Sequence, residues 1–178
     1  MFKEILDWIT LIAGIFAIAA SIATIFAVSI AIKALDSWKN ENNFQQIQEF
    51  QTTFYQLKME LEENLLKYYL YRSSVIANKE NKSYLDDYNS TNLELNKLLR
   101  QYELKGNLLK KNIASDLDDY LPDPAHFSVL IHGANKNNME RITDSDELFH
   151  MYYSNIVPKN ERMFKKGNDY LENLQKKI

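Results

Sequence analysis

The chain has 178 residues, with 21 basic and 24 acidic side chains, a formal net charge of −3 and no cysteine. That length suits one small domain behind a single further segment, and the lack of cysteine excludes disulfides, thiolate zinc sites and cysteine nucleophiles. Seventeen of the 21 cations are Lys and only four are Arg, so a mildly acidic chain with few bidentate phosphate ligands argues against direct DNA binding.

Residues 9–32 form 24 consecutive uncharged positions. At ~1.5 Å per residue this covers about 36 Å, enough for a ~30 Å hydrocarbon core with some tilt. A cleaved signal peptide is the alternative, but such peptides have a basic start and an apolar core of ~7–15 residues. Here MFKEILD carries one Lys against two acids, so the start is not basic, and the core is longer. The expectation is therefore a retained anchor: a short N-terminal tail at 1–8, a transmembrane helix at 9–34 and a soluble α-helical domain at 35–178. A short tail is easy to translocate, which places the C-terminal domain in the cytoplasm, with Lys33 and Lys39 on its side of the bilayer.

The span has its own pattern. Thr10, Ala13, Ala17, Ala20, Thr24, Ala27, Ala31 and Ala34 recur at alternating spacings of three and four. Gly14 and Ser21 lie one residue beyond this seam and widen it to an arc of roughly 140–160°, at about 100° per residue. Ile15, Ile18, Ile22, Ile25 and Phe26 occupy the other side. In lipid, helices associate where small residues let backbones approach and hydroxyls bond across. The seam predicts a homo-oligomer, and an arc this wide can contact two neighbours at once, as in a ring.

Beyond the span, Ile47, Phe50, Phe54, Leu57, Leu61, Leu65 and Tyr68 recur every three or four residues, which predicts a long amphipathic helix. No Gly or Pro lies between Gly14 and Gly106, so the membrane helix is expected to run into it with at most a small bend near Asn40–Asn43. NKENKS (78–83) reads as a turn. A second helix is expected over about 90–111, capped by Ser90 or Thr91, with Leu95, Leu98, Leu99, Tyr102 and Leu109 inward. Two of the three prolines make 121–124 irregular, a short helix follows in AHFSVLIHG, and Asp144 or Ser145 caps a helix through Val157. Pro158 then starts a last helix to about Lys176. No stretch alternates with period two, so the fold class is all-α: one N-terminal transmembrane helix followed by a small soluble helical bundle.

Catalytic signals are sparse. His126 and His132 are six apart and lack HExxH spacing, so no metal site and no cofactor is expected. The four glycines are not clustered into a phosphate loop, and no GxSxG elbow is present. The acidic run DLDDY (116–120) reads as solvated or answering a helix dipole. The tyrosines of KYYLYR (67–72) read as divided between core and surface. HEPN ribonucleases, which are all-α, carry Arg-x4-6-His, and two such motifs meet across a dimer to cut RNA. The nearest match here, Arg141 to His150 in RITDSDELFH, has eight residues between, so an active nuclease is not expected.

The charge-free span at 9–32, the small all-α domain behind it, the high Asn and Lys content and the stretched Arg141–His150 pair together resemble a known family. It is the small membrane accessory protein of type VI-B, RNA-targeting CRISPR systems, which is distantly HEPN-like. The resemblance implies a ring-shaped pore in the bacterial inner membrane, crossing it once. It also implies functional coupling to an RNA-guided RNA-targeting effector in antiviral defence. Three classes remain open: a membrane pore, a non-conducting anchored scaffold or signal-sensing protein, and a divergent HEPN RNA nuclease.

Overall fold

The structure, a computed structural model, describes residues 2–79, 81–124, 127 and 133–177, and only the backbone of 2–7, 9–13 and 15. Among the described residues five α-helices follow in chain order: α1 (Phe2–Ile76), α2 (Lys82–Asn112), α3 (Ala134–Glu140), α4 (Ser145–His150) and α5 (Val157–Gln175). A 3-10 turn occupies Leu117–Asp119 and a π-helical turn Met151–Ile156. Among the described residues the fold is all-helical, without a strand. The chain divides into two units, Met1–Asn42 and Asn43–Ile178, and α1 contributes to both.

The first unit consists of the apolar start of α1. By length and composition this helix could cross a membrane, and none of its apolar stretch is buried. Phe16 and Ile25 are 71% and 70% exposed, as on a helix with no neighbour. Isolated apolar side chains of this size would each lose about 1.5–3 kcal/mol in water relative to burial. A run of them therefore marks a surface that is not meant for water.

The second unit buries the expected stripe of α1 in full, from Ile47 through Phe50, Phe54, Leu57, Leu61 and Leu65 to Tyr68. Leu95, Leu99, Tyr102 and Leu109 of α2 and Phe164 and Leu171 of α5 close over it. The centre is aromatic. The Tyr102 ring lies 5.2 Å from Phe50, 6.1 Å from Phe54 and 5.8 Å from Phe127, and Phe164 lies 5.1 Å from Phe54 and 5.5 Å from Phe127. The Tyr102 hydroxyl donates to the Pro122 carbonyl at 2.8 Å, so a polar tip leaves the core satisfied. Gly167 allows α5 its close approach: a Cβ there would sit 2.3 Å from Leu121 Cδ2 and 2.6 Å from Phe54 Cζ.

Polar groups fix the helices to one another. The fully buried Asn64 of α1 donates through Nδ2 to the Tyr88 carbonyl at 3.2 Å and to Thr91 Oγ1 at 3.0 Å, both on α2. Arg72 donates from Nη2 to the carbonyls of Glu140 and Ile142 at 3.0 and 2.9 Å, satisfying orphan acceptors where α3 ends. The Tyr68 hydroxyl donates to Glu140 Oε1 at 2.7 Å on the same corner.

Two expected boundaries differ from those observed. α2 begins at Lys82 instead of near residue 90. Asn81 caps it by accepting from the Ser83 amide at 3.0 Å, and the connection turns on Asn78 at φ 52°, a conformation Asn tolerates. Thr91 is therefore inside the helix, where its hydroxyl donates back to the Tyr88 carbonyl at 3.0 Å. Asp144 caps α4 as expected, accepting from the amides of Asp146 and Glu147 at 2.9 Å each. The chain does not break at Val157, however: it passes through the π turn straight into α5. Pro158 lacks an N–H and its ring would strike the carbonyl four residues back in a regular helix. The Val157 amide instead bonds five residues back to Tyr152, and this wider turn accommodates the ring. The helix expected in AHFSVLIHG lies largely outside the described residues.

Candidate functional site

The small-residue seam occupies one α-helical segment, as its spacing requires. Ala17, Ala20, Ser21, Thr24, Ala27, Ala31 and Ala34 are all exposed, and nothing lies within 4 Å of where a Cβ on Gly14 would stand. The side chains of Thr10 and Ala13 lie outside those described. A seam repeating every 3.5 residues drifts by ~20° per heptad on a helix of 3.6 residues per turn, so it winds left-handed around α1. Helices that share such a seam keep contact by supercoiling left-handed. The hydroxyls of Ser21 and Thr24 donate to the carbonyls of Ala17 and Ala20 at 2.8 Å each. Each is thus satisfied on its own helix and tolerable in lipid, leaving close backbone packing as the force that would join copies.

Arg141 and His150 both lie in the second unit. Arg141 follows the end of α3 and His150 is the last residue of α4. Both are exposed, and no hydrogen bond, ion pair or ring contact joins them. His126 and His132 lie outside the described residues. Among the described residues no group of three or more His, Asp and Glu is placed to hold a metal ion. Two of the three carboxylates of the acidic run are engaged by the protein itself. Asp116 Oδ1 accepts from the Tyr170 hydroxyl at 2.6 Å, Asp118 pairs with Lys110, and the Asp119 carbonyl accepts from Lys166 at 3.2 Å.

No protein-family model, curated protein or solved structure matches the chain.

Two surface features of the second unit escaped the sequence reading. The tyrosines of KYYLYR do divide: Tyr68 is buried, while Tyr69 stacks on Tyr152 of the π turn with ring centres 4.7 Å apart. Tyr153 and Phe149 continue that aromatic group outward, 4.7 Å from one another. Burial is the first cause that raises the phenol of Tyr152, to about 12. The other feature is an open cleft of ≈ 690 Å³ beside α5, lined by Lys159, Asn160, Met163 and Lys166 on one side and by 118–123 on the other. Only contacts between elements distant in sequence create either one. The spacing of Lys159, Met163 and Lys166 at four and three residues was the available signal, since it sets them on one helix face.

Proposed function

We propose that the chain is a single-pass membrane protein whose N-terminal helix assembles copies of itself into a ring-shaped pore. It acts in antiphage, CRISPR-associated defence, disrupting membrane integrity when a partner RNA-guided RNA-targeting effector is activated. Residues beyond the span form a soluble helical bundle on the cytoplasmic side of the bacterial inner membrane, and the protein is not an enzyme. The observation that carries this reading is the charge-free stretch 9–32 of α1, exposed at every residue whose side chain is described, with a small-residue face along one side. Lipid satisfies the bulky face, and the small face offers a surface on which backbones approach closely. The resemblance to the type VI-B accessory proteins supports the pore and the defence context.

Ion flux from liposomes holding the purified protein, together with crosslinking in detergent, tests the reading. Replacing Ala17, Ala20 and Ala27 together by Leu should force backbones apart, collapse the crosslinked ladder and stop flux. Replacing Ile18, Ile22 and Ile25 by Leu should leave both intact. Equal behaviour of the two sets would refute the seam, and a ladder without flux would refute conduction. The latter result would favour a second reading, a non-conducting anchored scaffold or signal sensor, which the open cleft beside α5 also supports.

A further inference from the structure

Asn160 lines the cleft beside α5 although it is only 3% exposed, and its carboxamide makes no hydrogen bond among the described residues. Among the described residues the buried side-chain atoms left without a partner are Arg72 Nε and Asn135 Nδ2, so the Asn160 amide reaches the open cleft, where a ligand can take the place of water. An amide presents a donor and an acceptor side by side, so the group that completes it must supply the complementary pair. The walls around it carry opposite signs. α5 contributes Lys159, which makes no ion pair among the described residues, and Lys166. The opposite wall contributes the carboxylate of Asp119, while Asp118 is already engaged by Lys110 and Asp123 has an interaction of its own. Lys166 donates to the Asp119 carbonyl at 3.2 Å and lies 5.6 Å from the centre of the Tyr120 ring, which brings the two walls together at that end. Leu121 and Met163 supply apolar surface between them.

We propose that this cleft binds a small zwitterion: an ammonium and a carboxylate carried on a short apolar body, as in a free amino acid or a short peptide. The Asn160 Oδ1 accepts from the ammonium and Nδ2 donates to the carboxylate. Lys159 adds attraction for the carboxylate, and Asp119 for the ammonium. A simple anion, including a phosphate, meets the acidic wall, and a simple cation meets the two lysines. Only a ligand with both signs is matched on both sides. A ligand held between the 118–123 wall and α5 would tie those two segments together, which gives the second unit a means of responding to a metabolite.

Isothermal calorimetry on the full chain in lipid nanodiscs tests this with leucine and with the tripeptide Leu-Gly-Leu as probes, which separate the two sources. N-acetyl-leucine and leucinamide, each missing one charge, are the controls. Binding of leucine or the tripeptide is expected, with both blocked analogues weaker by about tenfold or more, or at least ~1.4 kcal/mol. Asn160→Leu should lose the same interaction, and so should Lys159→Ala, an exposed position whose replacement leaves folding intact even if Asn160→Leu does not fold. The proposal fails if neither zwitterion binds by ~10 mM, if the blocked analogues bind equally well, or if both variants bind as the wild type does.

Discussion

Replacing Gly167 by Ala probes the tightest approach in the second unit. The added Cβ would stand 2.3 Å from Leu121 Cδ2, 2.6 Å from Phe54 Cζ and 2.9 Å from Phe54 Cε1. Carbon atoms rest at about 3.5–4.0 Å, so the leucine methyl must retreat by roughly 1.2 Å and the ring by roughly 1 Å. Neither has room. Leu121 and Phe54 are both buried, and the ring is held among Tyr102 and Phe164. Overpacking of this kind costs about 1–3 kcal/mol, at times more. The helix propensity of Ala over Gly returns about 1 kcal/mol, and here the clash wins because two buried groups must move together. A net loss of about 2 kcal/mol, at about 4 °C per kcal/mol for a unit of this size, lowers the melting temperature by roughly 8 °C. Circular dichroism melts measure this directly. Gly106→Ala is the control, since its Cβ would meet Phe50 Cε2 at 3.2 Å and otherwise only ordinary contacts, Phe50 Cζ at 3.7 Å and Leu117 Cδ2 at 3.9 Å, and it should change stability by less than ~1 kcal/mol. In Leu121→Ala one of the two clash partners is gone and the ring of Phe54 remains, so adding Gly167→Ala should cost less than it does alone. A Gly167→Ala protein that melts with the wild type would refute the packing argument.

Asn64→Ala should destabilise the second unit by about 2–3 kcal/mol in denaturant titrations, because it removes a buried amide that bonds two groups of α2; a loss below ~0.5 kcal/mol would show those bonds to be dispensable. The folded state holds the Tyr152 proton more tightly than the unfolded state, its phenol raised from 10.0 to about 12, first by burial and then by Tyr153, Glu62 and Tyr69. That contribution is whole below pH 10 and is lost as the pH rises toward 12. Stability should therefore fall less steeply over that window in Tyr152→Phe, and identical slopes would contradict the shift. Purified protein incubated with single-stranded RNA and divalent ions should leave the RNA intact, while cleavage abolished by Arg141→Ala would restore the nuclease reading.

The core of the second unit was legible because its pattern is local. Every apolar position of the stripe from Ile47 to Tyr68 is buried, since a 3.6-residue repeat imposes one face whatever packs on it. The start of α2 was harder to read. Tyr84, Leu85 and Tyr88 continue its inward face, but Asp86, Asp87 and Asn89 among them read as loop. Burial of Tyr88 beside Asn64 decides the matter, and that is a tertiary fact. Arg72 gave no signal at all, because its partners are backbone carbonyls about 70 residues away. Asn160 gave none either. A polar residue on a helix reads as solvent-facing until a neighbouring segment covers it.

The π turn has a consequence for how this part of the chain tolerates change. Leu148, Tyr152, Ile156 and Asn160 are all buried and follow one another by steps of four. On a regular helix each such step overshoots a turn by ~40°, so three would carry the last side chain ~120° away from the first. The widened turn absorbs the surplus and keeps all four pointing inward. Deleting one residue there, such as Ser154, would let the backbone close into ordinary α geometry. The surplus is about one residue, or ~100°, so Phe164 and Leu171 beyond it would keep their direction, and the cost would fall on the ring of Pro158 in the regular turn. Regular geometry in this segment is thus compatible with its core but not with its proline, and a single-residue deletion between 151 and 156 should be better tolerated alongside Pro158→Ala than in the otherwise unchanged chain.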